Sequence, residues 1–160
     1  MQQRTITGGT PIAPGSPESR VEWQASWLRD PIFAGVSSRE FIHPNRTAEN
    51  NGEIQNVHTL FRREFQLDGG PVRQARLYIT ADDCYKLYVN GRFAGLGPAP
   101  ATPSDYFYNA WDVTEFLRPG TNCIGVHAFY QGMHSLTFCS GDNLAGLLVQ
   151  LEVDEQEGEG

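Results

Sequence analysis

The sequence predicts an all-β fold, an antiparallel two-sheet β-sandwich of jelly-roll type, on three observations. Residues 76–98 read RLYITADDCYKLYVNGRFAGLGP, with apolar side chains at every second position, the period of a half-buried strand. Asn90-Gly91 lies between two such runs. It is the strongest short hairpin signal, because a type I′ turn needs positive φ at both central residues. Finally, 17 Gly and 10 Pro in 160 residues divide the chain into short segments, with no long amphipathic helical pattern among them.

Taken in order, residues 1–20 are rich in Gly, Pro, Thr and Ser and read as a flexible lead-in, leaving 21–160 as the sandwich domain. Trp23 and Trp27 follow, four apart. They read either as anchors of an N-terminal strand on the sandwich or as sugar-stacking rings. Pro31 to Asn56 has the composition of a long loop, and loops that long inside a compact domain are often functional. Leu60 to Leu67 is a strand with Phe61 and Phe65 in phase. Arg63 shares their face, so the strand lies at an edge or its face opens partway along.

In the segment that follows, Leu77 and Ile79 face one way and Tyr78 and Thr80 the other. Beyond Ala81-Asp82-Asp83 the alternation resumes with Tyr85, Leu87 and Val89, and Arg92 to Leu96 returns after the turn. Three short antiparallel strands result. Tyr106 to Trp111 is an aromatic-rich strand, and Asp112 with Glu115 makes a capping-box pattern over one helical turn. Cys123 to Tyr130 places Ile124, Val126 and Ala128 in phase. Residues 131–143 form a second long loop, and Leu144 to Val153 is the last strand.

Composition sets the function classes. A net charge of −7 and a pI near 5.0 speak against nucleic-acid or anionic-membrane partners, which need a basic footprint. No apolar run approaches the ~20 residues of a membrane span. The first twenty residues contain no apolar core of a signal peptide, so the Asn45-Arg46-Thr47 sequon reads as chance. Cys84, Cys123 and Cys139 are odd in number and lack CxxC spacing. They read as buried thiols in a reduced, cytoplasmic setting.

Catalysis by this chain alone is not expected. A glycosidase, for example, needs two carboxylates about 5–10 Å apart across the sugar. Asp82 and Asp83 are adjacent, Asp112 and Glu115 are explained as a cap, and His43, His58, His127 and His134 lack metal spacing. No phosphate loop or GxSxG elbow occurs. Binding suits the loops better, through aromatic faces and hydroxyl-binding polar groups. The candidates are Asp82, Asp83, Tyr106, Trp111, Tyr130, His134, Asp142 and Asn143. Each has a plainer reading: Asp82-Asp83 as a turn or inter-domain contact, Trp111 as core, Asp142-Asn143 as an Asx turn.

Three runs, ARLYITADDCYKLYVNGRFAGLGPAP, YFYNAWDVTEFLRPGTNCIGVHAFYQG and DNLAGLLVQLEV, together resemble the N-terminal β-sandwich of bacterial α-L-rhamnosidases of glycoside hydrolase family 78. The resemblance covers about residues 60 to 153. It implies a galactose-binding-like jelly roll, a non-catalytic piece of a longer inverting glycosidase. Its partner would be a catalytic (α/α)6 barrel in the same polypeptide. Modules of this type also bind rhamnose-containing glycans, some through Ca²⁺ held partly by an Asp-Asn pair. Asp142-Asn143 has that composition.

Overall fold

A computed structural model of the chain describes residues 10–13, 15–35, 54–99, 107–132 and 145–155. Eight strands are formed: β1 (Thr10–Pro11), β2 (Val57–Leu67), β3 (Val72–Ala81), β4 (Cys84–Val89), β5 (Arg92–Gly97), β6 (Asn109–Asp112), β7 (Gly120–Tyr130) and β8 (Leu147–Glu155). They make two antiparallel four-stranded sheets, in the orders β1-β6-β3-β8 and β2-β7-β4-β5. This is the two-sheet sandwich that the alternation predicts. The described helices are three-residue 3-10 turns, and none is long or apolar enough to cross a membrane.

Alternation decides what is buried. Leu77 and Ile79 of β3 face Leu87 and Val89 of β4 across the sandwich, joined by Ala94, Val113, Val126 and Leu147 in one core. The β4–β5 hairpin turns at Asn90 and Gly91, with φ of 50° and 76°, the left-handed pair a type I′ turn requires. β3 and β4 belong to different sheets, although the sequence reads as a continuous run of three strands. Asp82 and Asp83 make the crossing. The Asp82 N–H donates to Gly146 O (3.0 Å), extending the β3–β8 ladder, and the Asp83 N–H donates to Phe129 O (2.8 Å), opening the β4–β7 ladder.

The outer face of β3 is buried as well, because the N-terminal segment lies over it. Trp23 meets Tyr78 and Tyr108 edge-on, while the hydroxyls of Tyr78 and Tyr108 donate to the carbonyls of Glu18 and Ser19. Gln150 of β8 fixes the same segment, accepting from Gln24 N and Ala25 N and donating to Glu22 O. Trp23 therefore anchors the start of the domain, but residues 21–27 are irregular. Pairing is confined to the bridge between Leu28 and Leu147. Within the expected lead-in, Thr10 and Pro11 pair with Asp112 and Trp111 of β6.

The two flanks of the sandwich differ. Where β5 meets β6, Gly95 and Gly97 lack the Cβ atoms that would collide with Trp111 and Asn109, and the sheets close tightly. On the opposite flank, β2 and β8 are edge strands and the sheets stay apart. Arg63 is exposed between half-buried Phe61 and Phe65, which answers the question raised by its phase: β2 is an edge and its inner face opens.

Candidate functional site

Three of the expected binding residues converge at one end of the sandwich. Asp82 and Asp83 are 5% and 8% exposed, and the peptide between them is cis. The Asp83 carboxylate accepts from the backbone N–H of Gln131 (2.7 Å), tying the sheet crossing to the exit of β7. Asp82 and Tyr130 line a small cavity with Asp30, Thr59, Phe33 and Gly146. Its volume is about 10 Å³, room for roughly one water molecule and far below the ~300 Å³ of a ligand pocket. Tyr130 is buried against Phe33, edge to face, at a centroid distance of 5.1 Å.

Asp30 organises this corner from the other side. One carboxylate oxygen caps the Pro31–Phe33 turn by accepting from Ile32 N (2.9 Å), and the other accepts from the Thr59 hydroxyl (2.9 Å). The Asp30-Pro31 pair was readable in the sequence as an N-cap followed by proline. Its bond to Thr59, 29 residues away, was not.

Trp111 lies elsewhere, packed between the sheets. Its indole N–H donates to the Tyr85 hydroxyl (2.9 Å), which donates to Asn109 Oδ1 (2.7 Å). Burial pushes the Tyr85 phenol far above its ordinary range, so this chain of bonds stays protonated. The ring is half-buried, with its six-membered part packed on Gly95. Tyr106, His134, Asp142 and Asn143 lie outside the described residues, as does Cys139. Cys84 and Cys123 are free thiols, as expected, but half-buried rather than buried. Asp112 accepts from the Thr114 N–H and hydroxyl in an Asx-type turn ahead of Thr114–Phe116. The expected capping box is not formed, because the N-cap position falls on Val113, which has no side chain able to cap.

On the open flank lies a cleft of about 760 Å³ whose walls include Leu28, Phe61, Phe65, Val149 and Leu151, with Arg62 and Arg63 among them. No Asp or Glu lines it among the described residues. Nor does any group of three or more His, Cys, Asp or Glu gather there in a metal-binding arrangement. The chemistry on offer is apolar burial beside two arginines, Arg62 and Arg63.

The sequence profile of the alpha-L-rhamnosidase N-terminal domain family matches residues 70–160. The chain belongs to this family. An alpha-L-rhamnosidase of Streptomyces avermitilis is 35% identical over 106 residues, which are 61% of this chain and 10% of that protein. Among solved structures, a GH78 family rhamnosidase of Bacillus sp. GL1 matches 84% of this chain and 12% of that one, at a TM-score of 0.66 and 29% identity. The Streptomyces avermitilis alpha-L-rhamnosidase complexed with L-rhamnose matches 64% of this chain and 11% of its own, at a TM-score of 0.51 and 30% identity. This rhamnosidase N-terminal domain thus spans about a tenth of the length of the proteins it resembles.

Sequence reasoning missed two features of the domain. The open flank depends on which strands end up at sheet edges, which no local pattern encodes. The other is a pair, His58 and His127, whose ring nitrogens Nδ1 and Nε2 approach to 2.9 Å on the outer face of the β2–β7 pair. They are 69 residues apart, and only the strand register joins them.

Proposed function

We propose that this chain is a non-catalytic accessory domain of an α-L-rhamnosidase-type glycoside hydrolase, packing against and orienting a catalytic domain of the same polypeptide. The observation that carries this is the family match over residues 70–160 in a chain about a tenth the length of its relatives. The geometry agrees with it. Asp30, Asp83 and Asp112 are engaged in hydrogen bonds to backbone N–H groups, and the cavity beside Asp82 has room for about one water. The large concavity is an apolar cleft, the kind of surface that a domain covers when it packs on another.

The test compares the native polypeptide, the same polypeptide without residues 1–160, and residues 1–160 alone, each assayed for hydrolysis of an aryl α-L-rhamnoside. Residues 1–160 should be inert, and their removal should lower the thermal midpoint of the remainder. Turnover by residues 1–160 alone would overturn the proposal. Calorimetric titration with L-rhamnose, with and without millimolar calcium, separates the other reading. Saturable binding lost on chelation would make the domain a calcium-dependent carbohydrate-binding module.

A further inference from the structure

Among the described residues, the outer face of the β2-β7-β4-β5 sheet presents exposed or half-buried side chains, among them His58, Leu60, His127 and Phe129, whereas on the other sheet the N-terminal segment lies over β3. On this face His58 and Leu60 of β2 stand opposite Phe129 and His127 of β7. His58 is therefore the diagonal neighbour of His127, within side-chain reach. His58 stacks on Phe129 at 4.7 Å and 25° between planes, and this fixes its ring with Nδ1 turned toward His127.

We propose that His58 Nδ1 and His127 Nε2 form a bidentate site for a borderline divalent cation such as Zn²⁺ or Ni²⁺. Two imidazole nitrogens on one tetrahedral metal at 2.0–2.1 Å stand about 3.3 Å apart. The observed 2.9 Å separation needs to open by only a few tenths of an ångström. A facing pair of imidazole nitrogens suits Zn, Ni or Cu and not Ca or Mg, which take oxygen ligands.

Metal binding requires neutral imidazoles. The His127 imidazole is held below its ordinary pKa, first by burial and then by the neighbouring His58 and Lys86. Lys86, cross-strand from His127, opposes a cation and keeps affinity modest. The other charged or titratable groups on this face of the same strands are Arg62 and Glu64 on β2, which pair with each other, Cys84 and Tyr88 on β4, and Cys123 on β7. Two protein ligands leave two positions open, to water or to a donor from a surface that packs on this face.

The test is calorimetric titration of the tag-free chain with ZnCl₂ and NiCl₂ at pH 7.5, repeated with CaCl₂. Saturable one-to-one binding of zinc and nickel, without calcium, is expected, and it should weaken as pH falls through the histidine range. Loss of a mere outer-shell partner costs about 10–100-fold in metal affinity, so His58→Ala and His127→Ala should each cost at least that. His43→Ala and His134→Ala should leave affinity unchanged. Should His127→Ala fail to fold, His58→Gln at its exposed position carries the same expectation. Failure of zinc to bind, or unchanged affinity in the His58 and His127 variants, would overturn the site.

Discussion

Asn122 offers a demanding test of how the sandwich is held together. It is 1% exposed on β7, and its amide makes four hydrogen bonds. Oδ1 accepts from Asn90 Nδ2 (2.8 Å) and Arg118 N (3.1 Å), while Nδ2 donates to Arg118 O (2.6 Å) and Gly120 O (2.9 Å). Asn90, the first residue of the hairpin turn, also donates to Phe116 O and accepts from Cys123 N. The network thus ties the β4–β5 turn to the 3-10 turn and to β7. At about 1 kcal/mol net per hydrogen bond, offset where water reaches the exposed Arg118 backbone, Asn122→Ala should cost about 2–4 kcal/mol. For a domain of this size that is a fall of roughly 4–16 °C in midpoint.

Asn122→Asp sharpens the test. It keeps both acceptor contacts but sets a carboxylate oxygen against two carbonyls, so the folded state raises the new group's pKa. A raised folded pKa gives stability that is complete below the unfolded value, about 3.9, and lost as pH rises through the folded value. The deficit against the unmutated chain should therefore be small near pH 3.5 and largest at pH 7. Urea denaturation across that range reads it directly. A deficit flat with pH, or an alanine cost under about 1 kcal/mol, would refute the network's role.

Further expectations concern the core, one thiol and the outer face of β2. A Cβ at Gly95 would lie 2.5–2.9 Å from the Trp111 ring, so Gly95→Ala should cost about 1–3 kcal/mol in urea unfolding. Trp111→Phe should relieve part of that cost in the double mutant, and strict additivity would count against the contact. Tyr85→Phe leaves the Trp111 N–H and Asn109 Oδ1 without their shared partner and should cost about 1–3 kcal/mol by the same assay. Burial, then the Asp83 charge, raises the Cys84 thiol pKa against a smaller opposing effect of Lys86. Its alkylation by iodoacetamide at pH 8 should be slower than that of a free cysteine and should accelerate at higher pH. Leu60 is 78% exposed, so Leu60→Ser should change the isolated domain's stability by less than about 0.5 kcal/mol.

Much of the fold was legible because strand alternation and turn chemistry are local. Tyr85, Leu87 and Val89 all point inward, and Asn90-Gly91 turns as its φ requirement dictates. The crossing at Asp82-Asp83 was not legible. An antiparallel neighbour in the same sheet and a strand of the opposite sheet present the same alternation, and only the partners, Gly146 and Phe129, distinguish them. The candidate site was legible as composition and not as position. Asp82, Asp83 and Tyr130 do come together, but inward, because each lies where an element ends and its polar groups must meet the next one. Trp111 is drawn into the core by Gly95, a glycine whose meaning depends on a residue 16 positions away.

The unequal flanks connect this packing to the accessory role. Gly95 and Gly97 let Trp111 and Asn109 close one side of the sandwich, so the core cluster is complete without a partner there. On the other side, Phe61, Phe65, Val149 and Leu151 remain half-buried on the walls of a cleft. Apolar surface left this way costs about 25 cal/mol per Å² of contact with water, which favours whatever covers it. Arg63 among those phenylalanines adds a constraint on that cover. Burying its guanidinium without a carboxylate or carbonyl acceptor would cost several kcal/mol, so a packed domain must present such an acceptor near β2. An apolar wall with Arg63 placed among its phenylalanines, and Arg62 beside it paired to Glu64, selects a matching surface more narrowly than apolar area alone.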